Sequence, residues 1–343
     1  MFDFKDKAAK AADVAKKFGQ GGKAAAEKTA KMLKATGDKG VQAVSKSKNA
    51  VVNVIDQNGD GSIDSADLII MALKVPGVRI ERNAFLKKEL FKYCSSEIIE
   101  KAIETTPAEA GIAPELVDKV ADEVIKFERN AVTGISAALG MPGGVAMAAT
   151  IPADIAQYYG YMIRAAQKLL YLYGFPELDI EEDIELDSET LNSLTICLGV
   201  MYGVANANHA IQAIAKALAT GVEKQLLKKA LTKGTIYPIV KAIARWFGKR
   251  MTKEIFAGFF KKAIPIAGGV VGGGLTYVTF KPCCYKLKDA LKDTILSNPN
   301  HKESDMEEKI YENIKNDVID IDLKDVVIVE DIETEEEDLT DDE

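Results

Sequence analysis

Between Asp56 and Asp67 the chain reads DQNGDGSIDSAD, and oxygen-bearing side chains recur there at alternate positions. Asp56, Asn58 and Asp60 take positions 1, 3 and 5 of the stretch, Gly61 position 6, Ser62 position 7, Asp64 position 9 and Asp67 position 12. This is chemistry for a hard divalent cation. Calcium takes about six to eight oxygen ligands in a flexible cage, and a tightly turned loop aims alternate side chains inward together. Asp56, Asn58, Asp60, Ser62 (through its carbonyl), Asp64 and Asp67 are therefore the expected metal ligands. Asp67 stands where a longer Glu would chelate with both oxygens, so a weakened calcium affinity is expected, with magnesium as the competing ion. The plainer alternative is a polar turn between two helices, which Asp, Asn and Gly favour without any metal.

The flanks suit the first reading. Val51, Val52 and Ile55 share one face of an incoming helix, Ile63 occupies position 8, where a short strand contact forms between paired loops, and Leu68 and Met71 share a face of the outgoing helix. The loop resembles an EF-hand. A dockerin-type loop resembles it less, because dockerins carry two such repeats and this chain has no second loop.

Other sites of chemistry are sparse. The chain has two histidines, His209 and His301. His209 lies among Asn206, Asn208 and Gln212, whose amides are expected to satisfy its ring in a structural role. No nucleophile elbow, phosphate-binding Gly-Lys-Ser/Thr loop, His-Glu-x-x-His or Cys-x-x-Cys is present. Asp154 and Arg164 interrupt an apolar helix and need partners there; Asp154, following Pro152, is expected at the positive helix N-terminus. Cys94, Cys197, Cys283 and Cys284 have no metal-ligand spacing and suggest no disulfide framework, which fits a reducing cytoplasm.

The elements that must position the loop are helical. Ala, Lys and Leu are abundant and β-branched runs scarce, so the expected class is all-α. Charge is uneven: residues 1–49 carry twelve Lys against five acids, and 303–343 carry nineteen acids against three Lys, flanking a nearly neutral body. The basic arm is either solvated or a lysine-rich surface helix on anionic lipid. Nucleic acid is disfavoured, since no Arg or stacking aromatic accompanies the lysines. The acidic tail contains the strand-prone DVVIVE at 325–330, open to a protein partner or to the arm.

Three uncharged runs, 130–153, 190–215 and 263–280, are long enough to raise membrane insertion. Pro142 and Pro152 in the first, and Asn206, Asn208, His209 and Gln212 in the second, argue instead for central helices of a packed bundle. Overlapping small-residue pairs, Gly268 with Gly272 and Gly269 with Gly273, allow close helix approach, as does the Gly140–Ala149 stretch.

Two blocks, GISAALGMPGGVAMAATIPADIAQYYGYMIRAAQKLLYLYGFPEL and KKAIPIAGGVVGGGLTYVTFKPCCYKLKDAL, give residues 115–295 a resemblance to the EcsC family of bacterial proteins. The resemblance implies a helical domain and a membrane connection. It supplies no catalytic residues.

The expected organisation is a basic arm (1–49), an EF-hand-like unit with following helices (50–110), an EcsC-like helical domain (111–298) and an acidic tail (299–343). The expected fold is an all-α multi-helix bundle with Gly-rich, closely packed central helices, preceded by the helix-loop-helix unit. The preferred functional reading is a non-enzymatic, calcium-binding, cytoplasmic protein held at an anionic membrane surface or a membrane protein complex. Its rivals are an integral membrane protein with inserted helical hairpins and a hydrolase with an unrecognised carboxylate site.

Overall fold

A computed structural model describes residues 55–57, 59, 61, 63–140, 146–180, 188–262, 268–298 and 300–317, with the side chains of 136–140, 146–151, 250–262, 268–276 and 278 left aside. The basic arm, the residues after 317 and loop positions 58, 60 and 62 therefore lie outside the described residues, as do the packing surfaces of the Gly140–Ala149 and Gly268–Gly273 stretches.

The chain is an all-α bundle. Its helices are α1 (Ser65–Leu73), α2 (Arg82–Leu90), α3 (Ser96–Glu104), α4 (Pro114–Gly140), α5 (Ala146–Leu172), α6 (Glu189–Tyr202), α7 (Ala207–Ala219), α8 (Lys224–Thr232), α9 (Tyr237–Lys262), α10 (Gly268–Lys292) and α11 (Asp305–Lys315). Long helices at the centre follow from apolar stripes at helical spacing. In α4, Val117, Val120, Ala121, Val124, Ile125 and Val132 are buried on one face; in α10, Phe280, Cys284, Leu287 and Leu291 are. These faces meet: α4 packs along both α10 and α5, and α6 closes against α10. The buried side chains form one continuous core from Ile55 to Ile314.

Local signals were partly redirected by packing. Thr106, Pro107 and Glu109 have the spacing of an N-cap, first-turn proline and N3 acid; Thr106 Oγ1 does accept the Glu109 amide at 3.1 Å, but the stretch closes after one turn, with the Ile112 amide donating to the Pro107 carbonyl. The spacing of Phe85, Leu86, Leu90 and Tyr93 predicts a helix over 82–93; α2 stops at Leu90, and Tyr93 is half-buried with its hydroxyl donating to Glu123. Arg82 itself is buried, donating to the carbonyls of Ala102, Ile103 and Thr105, so that it holds the otherwise unsatisfied C-terminal carbonyls of α3. Burial lowers its pKa.

The uncharged run 190–215 is split between α6 and α7 at Gly203–Asn206, giving helices of 14 and 13 residues. Among the described residues no helix is long and apolar enough to cross a membrane.

Candidate functional site

The loop leads directly into α1. Ile55 precedes it and Ile63 lies within it, and both are buried. The Asp56 carboxylate accepts the Gly59 amide at 2.6 Å and the Gly61 amide at 2.8 Å, drawing the loop into a tight turn. Gly61 takes φ +83°, a left-handed conformation that a side chain would strain, so the turn requires glycine at position 6.

Asp64 ends the loop and starts α1. Its carboxylate accepts the amides of Ala66 and Asp67, and Asp67 reaches back to the Asp64 amide, making a reciprocal capping box. The other Asp67 oxygen accepts the Gln57 amide at 2.8 Å, tying position 12 to position 2 across the loop. Asp67 is fully buried. Lys74 adds a clasp outside, donating to Gln57 Oε1 at 2.6 Å.

Of the expected ligands, Asp56, Asp64 and Asp67 are thus placed around one turn, while Asn58, Asp60 and Ser62 lie outside the described residues. The described residues do not by themselves bring three acidic, His or Cys side chains onto one point. Each ionised carboxylate offers about four acceptor positions, and the amide contacts of Asp56 use two.

Behind the loop, α1 is a structural element of the core. Leu68, Ile69 and Ala72 are fully buried, and the helix packs against α5, α6 and α9. Each buried Leu or Ile contributes about 1.5–3 kcal/mol, so the position of α1 is set by the bundle.

A second polar centre was missed by sequence reading. Glu128 lies on the apolar stripe of α4 at 0% exposure and meets Arg164 (Nε 3.1 Å) and Lys168 of α5. Arg164 also donates to the Gly77 carbonyl. Two cations on one carboxylate satisfy the need for a partner at Arg164. Burial lowers the pKa of Lys168, and the Glu128 charge opposes that shift. The available signal was an acid at i+3 and i+4 from Ile125 and Val124.

The two histidines converge near the start of α11. His301, its side chain 1% exposed, is clamped by Asp293 (Nδ1 to carboxylate, 3.1 Å) and by Glu307 (Nε2, 2.8 Å). Burial alone would lower its pKa; the hydrogen bonds to Asp293 and Glu307 outweigh it, and the pKa is raised. His209 Nδ1 lies 3.1 Å from Ser304 Oγ, the N-cap of α11, whereas Gln212 donates to the Asp293 carbonyl. The partner of His209 is thus Ser304 rather than the neighbouring amide expected. Ser304 accepts the Glu307 amide. That arrangement fastens a helix, and its hydroxyl is committed to the cap.

Asp154 also differs from expectation. Helix α5 begins at Ala146 and runs through Pro152, so Asp154 lies in the third turn, beyond reach of the helix N-terminus. Cys197 and Cys284 are buried, which pushes the Cys197 thiol up to about 12 and the Cys284 thiol well above its ordinary value, so neither is a nucleophile near neutral pH. A cavity lined by Ile112, Val117, Tyr173, Lys292 and Leu296 has a volume of about 30 Å³, room for a single water.

No family model, no curated protein and no solved structure matches this chain.

Proposed function

We propose that the chain is a non-enzymatic helical protein of the EcsC type that binds one calcium ion in the Asp56–Asp67 loop, works in the cytoplasm and associates with an anionic membrane surface or a membrane protein complex. The observation that carries this reading is the loop's own economy. Asp56 at position 1 gathers the amides of Gly59 and Gly61, Gly61 turns the chain, Asp64 caps the outgoing helix, and Asp67 closes the ring onto Gln57. Asp56, Asn58, Asp60, Ser62, Asp64 and Asp67 would hold the ion. Filling the loop would offset the repulsion of four carboxylates and fix the angle between the flanking helices.

The charge distribution supports the membrane half of the reading. A +7 arm, residues 1–49, precedes the loop, and lysines near an anionic surface contribute about 1 kcal/mol each. The −16 segment at 303–343 suits a basic protein partner. The test is flotation of the full chain with vesicles of phosphatidylserine and phosphatidylcholine, in calcium and in chelator, alongside Asp56→Ala. Flotation that depends on calcium in the wild type and loses that dependence in the variant is the expected result. Absence of the chain from the lipid fraction in both conditions would end the membrane assignment.

A further inference from the structure

A single loop of this kind lacks the second loop against which its position-8 backbone pairs, and this chain resolves that with a helix. Ile63, at position 8, is 3% exposed, and its carbonyl faces Gly248 of α9: a Cβ on residue 248 would stand 3.2 Å from that oxygen. A Cβ at that distance would be crowded, so glycine eases the approach of α9 to the loop backbone. The neighbouring residues explain why α9 stays there. Phe247 is fully buried, and Trp246 and Phe247 both pack on Tyr202 of α6, at 5.8 and 5.1 Å between ring centroids. One turn earlier, Ile243 fills the space left by Gly199 of α6. Helix α9 is therefore braced on α6, with Gly248 opposite the loop backbone.

We infer that Gly248 is a positioning residue for the metal loop, and that α9 takes the place of a paired second loop, holding the Ile63 backbone so that the ligands on either side of it face one ion. This rests on the metal reading above. Three consequences follow from the geometry. The site fills at one ion per chain without partner or cooperativity. Its affinity depends on residue 248, which has no side chain to offer as a ligand, because supports of this kind commonly change metal affinity by about 10- to 100-fold. Trp246, the chain's single tryptophan, two residues from the contact, reports filling by its fluorescence.

The experiment is calorimetric titration of the full chain with calcium chloride, with Trp246 emission followed in parallel, for wild type, Gly248→Ala, Gly248→Val and Gly174→Ala. A graded loss is expected at 248: a small one for Ala, whose Cβ needs the Ile63 carbonyl to give by a few tenths of an ångström, and about tenfold for Val. Gly174→Ala strains a turn at φ +92° and crowds Thr106, away from α9, so it lowers thermal stability and leaves the dissociation constant unchanged. Equal affinity in wild type and both 248 variants would overturn the inference, as would calcium-driven dimerisation in sedimentation, since a second copy would then supply the pairing. If Gly248→Val fails to fold, the Ala variant against Gly174→Ala carries the comparison. A wild type that binds no calcium overturns the metal reading itself, a result distinct from insensitivity at 248.

Discussion

Two segments of the molecule, the loop with α1 and the segment around α11, are fastened by different polar contacts. Both helices bury apolar side chains, Leu68, Ile69 and Ala72 in α1 and Ile310, Tyr311 and Ile314 in α11. To this α1 adds carboxylates that accept backbone amides of their own segment, whereas α11 adds charged side chains reaching across the chain: His301 to Asp293 and Glu307, Lys216 to Glu303 and Glu308, Lys229 to Asp317. The difference teaches where each solution condition acts. On the calcium reading, cation concentration should tighten the first segment and leave the second alone. Proton and salt concentration should do the reverse.

The largest effect expected from breaking this contrast is at Glu307. It is fully buried, caps α11 and holds His301. Glu307→Ala strands a buried His between one remaining carboxylate and the core, and removal of one partner from a buried pair costs about 3–5 kcal/mol. Chemical denaturation should show that loss in the presence and absence of calcium alike.

Asp67→Ala comes next. In chelator it leaves the Gln57 and Asp64 amides without their acceptor, a loss of about 1–3 kcal/mol. In calcium the deficit widens, because the variant also forgoes the ion. A deficit independent of calcium would detach Asp67 from the metal site.

The pH response sharpens the contrast further. The folded pKa of His301 is raised above its unfolded value of about 6.5. The clamp's contribution is therefore fully present below about pH 6.5 and is lost as pH rises through the folded pKa. Thermal unfolding of the wild type should fall over that window, and His301→Gln should flatten the fall. Hydrogen-exchange protection factors in α1 should be unmoved while those in α11 fall.

Salt gives the smallest effect. The partly exposed pairs of Lys216 and Lys229 contribute under about 1 kcal/mol each, so added sodium chloride should loosen α11 slightly in exchange experiments and leave α1 as it was.

These features were unequally legible in the sequence. The all-α class and the buried faces of α1 and α2 follow from apolar residues at helical spacing, as Leu68, Met71, Phe85, Leu86 and Leu90 show. The turn at Gly61 was legible because loop chemistry is local. Partners far apart in the chain were not. Arg164 announced its need for a partner, but its answer, Glu128, depends on the register between α4 and α5, which periodicity in one helix does not contain. His209 meets Ser304, 95 positions away, by the same kind of accident of register. Pro152 misled for another reason: proline favours the first helical turn, yet here it sits inside α5, displacing Asp154 from the expected cap. Gly248 carried no signal at all, since one glycine in GKRMTK has meaning only once the Ile63 carbonyl is seen beside it.

The most direct test of the account is equilibrium binding of radioactive calcium to the full chain, wild type beside Asp56→Ala. One ion per chain, held with a dissociation constant between about ten micromolar and about a millimolar as expected for a loop short of its usual Glu, and abolished by the substitution, is the predicted result. No saturable binding, or binding that survives loss of Asp56, would contradict it.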